Sequence, residues 1–305
     1  MRLCPAALAL AVLVAGCAHA APGPIQLSGS AQQGGVLLGT VPPGTVRLTL
    51  DGRPVRLTGE GRFIIGFGRD AVPLARVVAT LADGQTTARV IAVAQRTYEI
   101  ESIPSLRVRP ATPDGAPDAE AEAAYALRRT AEVAAIAAAR AGDSGETGWM
   151  QAFIWPALGR ISGVYGSQRI LGGVPANPHF GTDIAAPAGT PVIAPAAGMM
   201  RLAQGPFALE GNLIVLDHGH GLSSTFIHLS RIDVTPGTRV AQGQLIGAIG
   251  TTGRSTGPHL HWAMTWDNVR VDAATLVVAP MPDTAAGAQP SRLALTERPP
   301  STLSR

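Results

Sequence analysis

Lysine is absent from this chain of 305 residues: all 24 basic residues are arginine, set against 21 acidic ones. The net charge of +3 is small, and although a pI near 9.4 suits an anionic partner such as a cell wall, no cationic run marks a nucleic-acid surface. Cysteine is nearly absent, with only Cys4 and Cys17, both close to the start. Aromatics make up 4% of the chain, which together with 36 Gly and 25 Pro argues against a helical bundle and for many short strands joined by tight turns. The apolar run at residues 6–15 is too short to span a bilayer as a helix; behind Arg2, it reads as the core of an export signal over residues 1–20. What is present is a hydrophobic content of 46%, enough for a substantial core or two. The expected fold class is mainly β.

Two cleavage patterns overlap in the signal. Ala18-His19-Ala20 has the small-x-small form of ordinary signal cleavage, while Leu13-Val14-Ala15-Gly16-Cys17 has the form of a lipoprotein box, giving a signal over residues 1–16. The first cut releases a soluble chain; the second leaves Cys17 as an acylated membrane anchor, and the box favours it. Neither leaves a pair of cysteines, so no disulfide stabilises the mature chain in an oxidising compartment. The expected location is the periplasm or cell envelope, with attachment as an outer-membrane lipoprotein through Cys17.

From residue 25 to 98 the pattern has period two. Val46, Leu48 and Leu50 alternate with Arg47 and Thr49, and Asp51-Gly52 turns the chain into Val55-Arg56-Leu57. A second hairpin is expected from residues 75–81 and 86–93 around Asp83-Gly84. Regular spacing of this kind resembles a small Ig-like β-sandwich, assigned to residues 24–105 as a spacer or docking module. Residues 118–140 change character: they are alanine-rich, with Glu120 and Glu122 in the first turn and Arg140 in the last, which complements a helix dipole. This predicts a helical linker over 111–148, able to pack on either side, with hinges at 113–117 and 142–148. Residues 280–305 lack periodicity and read as a disordered tail.

The chemistry lies between residues 149 and 279, where Gly and Pro punctuate strands expected at 191–195, 213–216, 225–228 and 259–263. Of seven histidines, one is at position 19 and all others fall between 179 and 261, a clustering strange for satisfied core residues. His259 and His261 are two apart on a strand, so their rings project to one face and can share a site. His179 and Asp183 have helical spacing, but Pro178, Gly181 and Pro187 predict a loop running into a strand instead. Imidazoles and a carboxylate of this kind are the donors of a catalytic zinc.

Residues 160–272 resemble the lysostaphin/LytM-type zinc metallopeptidases that cut peptide bonds in bacterial peptidoglycan. The likeness rests on His179-x-Gly181-Thr182-Asp183, Ala188-Gly189-Thr190-Pro191-Val192, Asp217-His218-Gly219-His220-Gly221, His228-Leu229-Ser230, Gly243-Gln244-x-Ile246-Gly247 and the run from Gly253 through Pro258 to His259-Leu260-His261. It implies a LytM-type antiparallel β-sheet domain, a duplicated hybrid motif, over 149–279. It also implies one Zn2+ held by His179, Asp183 and His261, with water in the fourth position. By the same likeness, His228 and His259 are the catalytic pair, hydrogen-bonding the attacking water and stabilising the oxyanion or protonating the departing amine. Relatives often carry Tyr where this chain has Phe226, which bears on rate. Some relatives are kept latent by an Asn from an N-terminal segment; here Asn177, Asn212 and Asn268 all fall in the catalytic segment, so inhibition by the N-terminal part would be steric or use a carboxylate. A hinged cover formed by residues 111–148 is one form it would take.

His218 and His220, in a Gly-rich turn, are expected to be structural or to support the ligands, and Arg254, Ser255 and Thr256 to position substrate or simply close a tight loop. The implied activity is a zinc metalloendopeptidase acting on peptidoglycan, a hydrolase of the D,D-endopeptidase kind on diaminopimelate cross-links. The alternative is a non-catalytic envelope regulator that activates a wall amidase after losing its ligands, which this chain retains.

Overall fold

The computed structural model describes residues 23–103, 119–171 and 173–282. The expected export signal with Cys17, the expected hinge at 113–117 and residues 283–305 of the expected tail over 280–305 lie outside these residues. Among the described residues no helix is long and apolar enough to cross a membrane.

Seven strands come first: β1 (Gln26–Gly29), β2 (Val36–Thr40), β3 (Thr45–Leu50), β4 (Arg53–Val55), β5 (Arg62–Gly66), β6 (Leu74–Leu81) and β7 (Thr86–Ala92). They form two antiparallel sheets, ordered β1-β2-β5 and β4-β3-β6-β7. Both hairpins read from the sequence are present. Period-two burial is clearest in β6, where Ala75, Val77 and Ala79 are buried and Leu74 and Arg76 exposed. The following strand, β8 (Ile100–Ile103), leaves this unit: it pairs in parallel with β10 (Gln168–Leu171), which also pairs with β11 (Val174–Pro175).

The main sheet has ten strands: β9 (Arg160–Gly163), β12 (Thr182–Ala185), β13 (Pro191–Ile193), β14 (Gly198–Phe207), β15 (Gly211–Gly219), β16 (Leu222–Ile232), β17 (Arg239–Val240), β18 (Leu245–Ile249), β19 (His259–Trp266) and β20 (Val269–Val271). Its central path runs β17-β14-β15-β16-β19-β12-β9 and is antiparallel throughout. One face carries Ile184, Phe226, Leu260, Trp262 and Met264, all fully buried. That core forms one cluster with the N-terminal one, which includes Phe63, Ile65 and Val77. The junction is tight: a Cβ on Gly66 would lie 2.8 Å from Val271 Cγ1. Arg96 pairs with Asp272 across it at 2.8 Å.

The single helix of the described residues, α1 (Ala119–Ala141), packs on the opposite face of the main sheet, where Ile136 and Ala139 meet Phe207, Leu213 and Val215. The expected hinge at 142–148 is instead bound down. Ser144 N donates to Asp217 Oδ2 at 2.8 Å, and Gly148 and Gly219 are pressed against the carbonyls of Ala197 and Glu146 so closely that a Cβ would overlap them. Glycine is needed there for close approach, not for bending.

Candidate metal centre

Strand pairing assembles the site. In the antiparallel register of β12 and β19, Asp183 lies opposite His261, and on the other side of β19 His261 lies opposite Ile227. Because side chains alternate, His259, His261 and Asp183 share the face away from the Trp262 core. His179 precedes β12 in a loop, as the sequence predicts, held by Gly166 N to His179 O (2.7 Å) and His179 N to Ser167 O (2.8 Å). Room for the cluster comes from two glycines. A Cβ on Gly163 would stand 2.4 Å from Asp183 Oδ2, and one on Gly181 2.6 Å from the His261 ring.

Three atoms converge. His179 Nε2 lies 2.9 Å from His261 Nδ1 and 3.1 Å from Asp183 Oδ1, and His261 Nδ1 lies 2.8 Å from Asp183 Oδ1. A tetrahedral ion at about 2.0–2.1 Å from each donor separates its ligands by roughly 3.3 Å, so the triangle fits a single zinc with little movement. The donor chemistry agrees. His179 Nδ1 is 3.0 Å from the carbonyl of Val164 and so carries the hydrogen, leaving the Nε2 lone pair aimed at a carboxylate oxygen. Lone pairs meeting in this way need a cation between them. Among the described residues this trio is the one cluster of its kind, and it keeps contact with solvent, with side chains 16–24% exposed. Burial alone would raise the Asp183 carboxyl, but the His179 and His261 rings beside it, which donate to it only when they carry a second proton in place of a metal, hold it well below the usual carboxylate range. His179 is likewise raised against the effect of burial by Asp183, whereas burial wins at His261 and lowers it.

His228 and His259 flank the trio, with their ring centroids 4.8 Å apart and His228 6.5 Å from His261. Each turns Nδ1 to a backbone carbonyl, Thr252 at 2.8 Å and Gly257 at 2.8 Å, leaving Nε2 free on the side of the cluster. His259 Nε2 is 4.0 Å from Asp183 Oδ1. Strict alternation would place His228 with Phe226 on the core face. A bulge intervenes: the partners of β15 step from Phe226 to Leu229, and His228 adopts φ of 66°. The extra residue turns its ring over to the site. Burial lowers its pKa, so the ring is neutral near pH 7.

His218 and His220 stay outside the cluster. His218 is buried beneath the sheet, where Ala197 O accepts from Nδ1 (2.9 Å) and Nε2 meets Ser224 Oγ (2.8 Å), which in turn accepts from Trp262 Nε1 (3.1 Å). Burial pushes its pKa down to about 4. His220 stacks on Trp149 at 4.5 Å. Ser255 Oγ donates to Gly257 O at 2.7 Å and lies 3.3 Å from His259 Nδ1, bracing that loop, while Arg254 is exposed. Phe226 points into the core. The carbonyls of Val164 and Thr252 leave no mark in the sequence, because any residue supplies a carbonyl.

Residues 177–273 match the model of Peptidase family M23 and constitute such a domain. This chain is 46% identical over 88 residues to the peptidoglycan DD-endopeptidase ShyA of Vibrio cholerae, a stretch covering 28% of this chain and 20% of that protein. It is 44% identical over 84 residues to the DD-carboxypeptidase/endopeptidase Mpg of Neisseria meningitidis, covering 28% and 19%. The matched stretch thus spans about a fifth of these curated relatives. A crystal structure described as a putative peptidase M23 from Pseudomonas aeruginosa superposes with a TM-score of 0.59 at 28% identity, covering 81% of this chain and 95% of that one.

Proposed function

We propose that this protein is a zinc-dependent endopeptidase that hydrolyses peptide bonds in peptidoglycan cross-links, of the D,D-endopeptidase kind, at the cell envelope. The observation that carries the reading is the convergence of His179, Asp183 and His261 on one point, with two further imidazoles presenting free Nε2 atoms beside it. The names of the M23 relatives from Vibrio and Neisseria support the same substrate.

When bound, zinc lowers the pKa of a water from 15.7 toward about 7 and polarises a peptide carbonyl. Val164 O keeps His179 in the tautomer that offers Nε2 as a ligand. With Nδ1–H committed to Thr252 O, neutral His228 accepts a proton at Nε2 and can return it to the departing amine. His259, fixed in the same sense by Gly257 O, accepts a hydrogen bond from the water at Nε2 and donates to the developing oxyanion once that nitrogen has taken up a proton. Residues 24–105 act as an Ig-like docking module, and Cys17 supplies the membrane attachment.

The test is zinc content and peptide release from purified peptidoglycan by the full chain. His261→Ala should lose zinc and activity together. His228→Ala and His259→Ala should keep zinc while kcat falls by about 10²–10³. A folded wild-type protein that neither takes up zinc nor releases peptides would sink the enzyme reading and leave the regulator of a wall amidase, which the complete donor set does not favour.

A further inference from the structure

The sheet face that carries the metal trio also receives two arginines, from α1 and β20, that have no carboxylate partner among the described residues. Arg140, in the last turn of α1, reaches the sheet and donates from Nε and Nη2 to Thr225 Oγ1 at 3.2 and 3.0 Å. Thr225 pairs with Ala263, which is two residues from His261 on the same strand face, so this contact lies one step, roughly 6–7 Å along the strand, from His261. Arg270 pairs with Thr265, the next residue on that face. Its guanidinium sits 6.0 Å from the ring of Phe180, the neighbour of His179.

Each guanidinium has five N–H donors. Arg140 spends two on one hydroxyl, and among the described residues neither arginine has a carboxylate partner. The acid whose charge acts on Arg140 is already taken: Glu210 receives both arms of Arg129, at 2.7 and 3.0 Å. Burial, and then the charge of Arg270, push Arg140 down to about 9 against the opposing pull of Glu210. Burial lowers Arg270 also, with Tyr165 opposing. The dipole at the C-terminus of α1 accounts for a cation at residue 140, but not for a second one from β20 on the same sheet face. Two half-buried like charges with spare donors are destabilising alone and favourable around an anion.

We propose that Arg140 and Arg270 form a carboxylate-binding subsite on this face of the sheet, taking an acidic group of the peptide substrate one or two residues from the cleaved bond. The subsite rests on the peptidase reading above and adds to it a preference for free over amidated carboxylates.

The experiment compares a cross-linked peptide dimer bearing free carboxylates with its fully amidated counterpart, using zinc-loaded full-length protein, Arg140→Met and Arg270→Met. Wild type should cleave the free form at least about 10-fold better in kcat/KM, through KM, and each variant should bring that ratio to within about two-fold of one with zinc content and thermal unfolding preserved. An unchanged ratio in both variants overturns the proposal, and the two arginines lie on separate elements, so misfolding of one variant leaves the other informative. Binding of both dimers to the His259→Ala protein is measured in parallel, without cleavage. Tighter binding of the free form that vanishes with either arginine sustains the subsite even if the wild type proves inactive, which would overturn the peptidase reading alone. Equal binding of the two dimers overturns the subsite alone.

Discussion

Single atoms set the tolerance of the metal centre. Gly163 illustrates it: a methyl group there would press on Asp183 Oδ2 from 2.4 Å and on Cγ from 2.9 Å, so the carboxylate must rotate away from the imidazoles. Gly163→Ala should therefore fold yet bind zinc about 10- to 100-fold more weakly, as read by competition with a chelator; unchanged affinity would show that the carboxylate has more freedom than the packing implies. His218 has a different consequence, through pH. Its folded pKa is about 4 against 6.5 for the free side chain. Above pH 6.5 both folded and unfolded states are neutral and the full stability is present. As pH falls below 6.5 the unfolded chain takes up a proton that the folded one refuses, and stability drops until the folded state titrates near 4. The loss is on the order of a few kcal/mol. Thermal unfolding from pH 7.5 to 4.5 should show a steeper decline in wild type than in His218→Asn; parallel curves would contradict this origin.

At the scale of elements, α1 and the β16 bulge act together. His228 N donates to Glu210 O at 2.9 Å, Arg254 N donates to Leu209 O at 2.8 Å, and Ala208 N donates to Glu132 Oε1 at 2.9 Å. The turn that seats His228 is thus clamped from α1 by Arg129 and Glu132, whose side chains are 16% and 10% exposed. A non-glycine residue at positive φ persists only where its surroundings over-determine it, and this clamp is part of those surroundings. Arg129→Met should lower kcat by about 10-fold while zinc content stays constant, with Arg129→Lys recovering part of it. A fall in zinc content instead would mean that the helix supports the ligands and not His228. Alanine richness and charge placement predicted α1 well, since helix propensity is local. They left open where it docks, because its small apolar stripe fits many surfaces; Ile136 and Ala139 meet Leu213 and Val215 only once the sheet exists.

Across the whole molecule, the N-terminal strands and the main sheet share one continuous core, joined at Gly66 and Val271 and braced by Arg96–Asp272. Such a junction predicts a single cooperative unfolding transition, with calorimetric and van't Hoff enthalpies equal; two resolved transitions would show that the units are independent. For the same reason, residues 149–282 alone should unfold at lower temperature than the full chain, because Phe207, Leu213 and Val215 lose the cover of α1 and the shared core is cut.

The sequence by itself determined the local settings of the histidines that come together. His259 and His261 had to share a face because strand geometry has period two, and Pro178 and Gly181 forced His179 into a loop, both consequences of backbone sterics within a few residues. Only the tertiary structure decided that His228 would turn toward the site, that residues 142–148 would be fixed instead of hinged, and that Arg140 and Arg270 would come to the same sheet face. Those outcomes depend on strand register, a bulge and close approach between residues far apart in the chain, which no local pattern of side chains records.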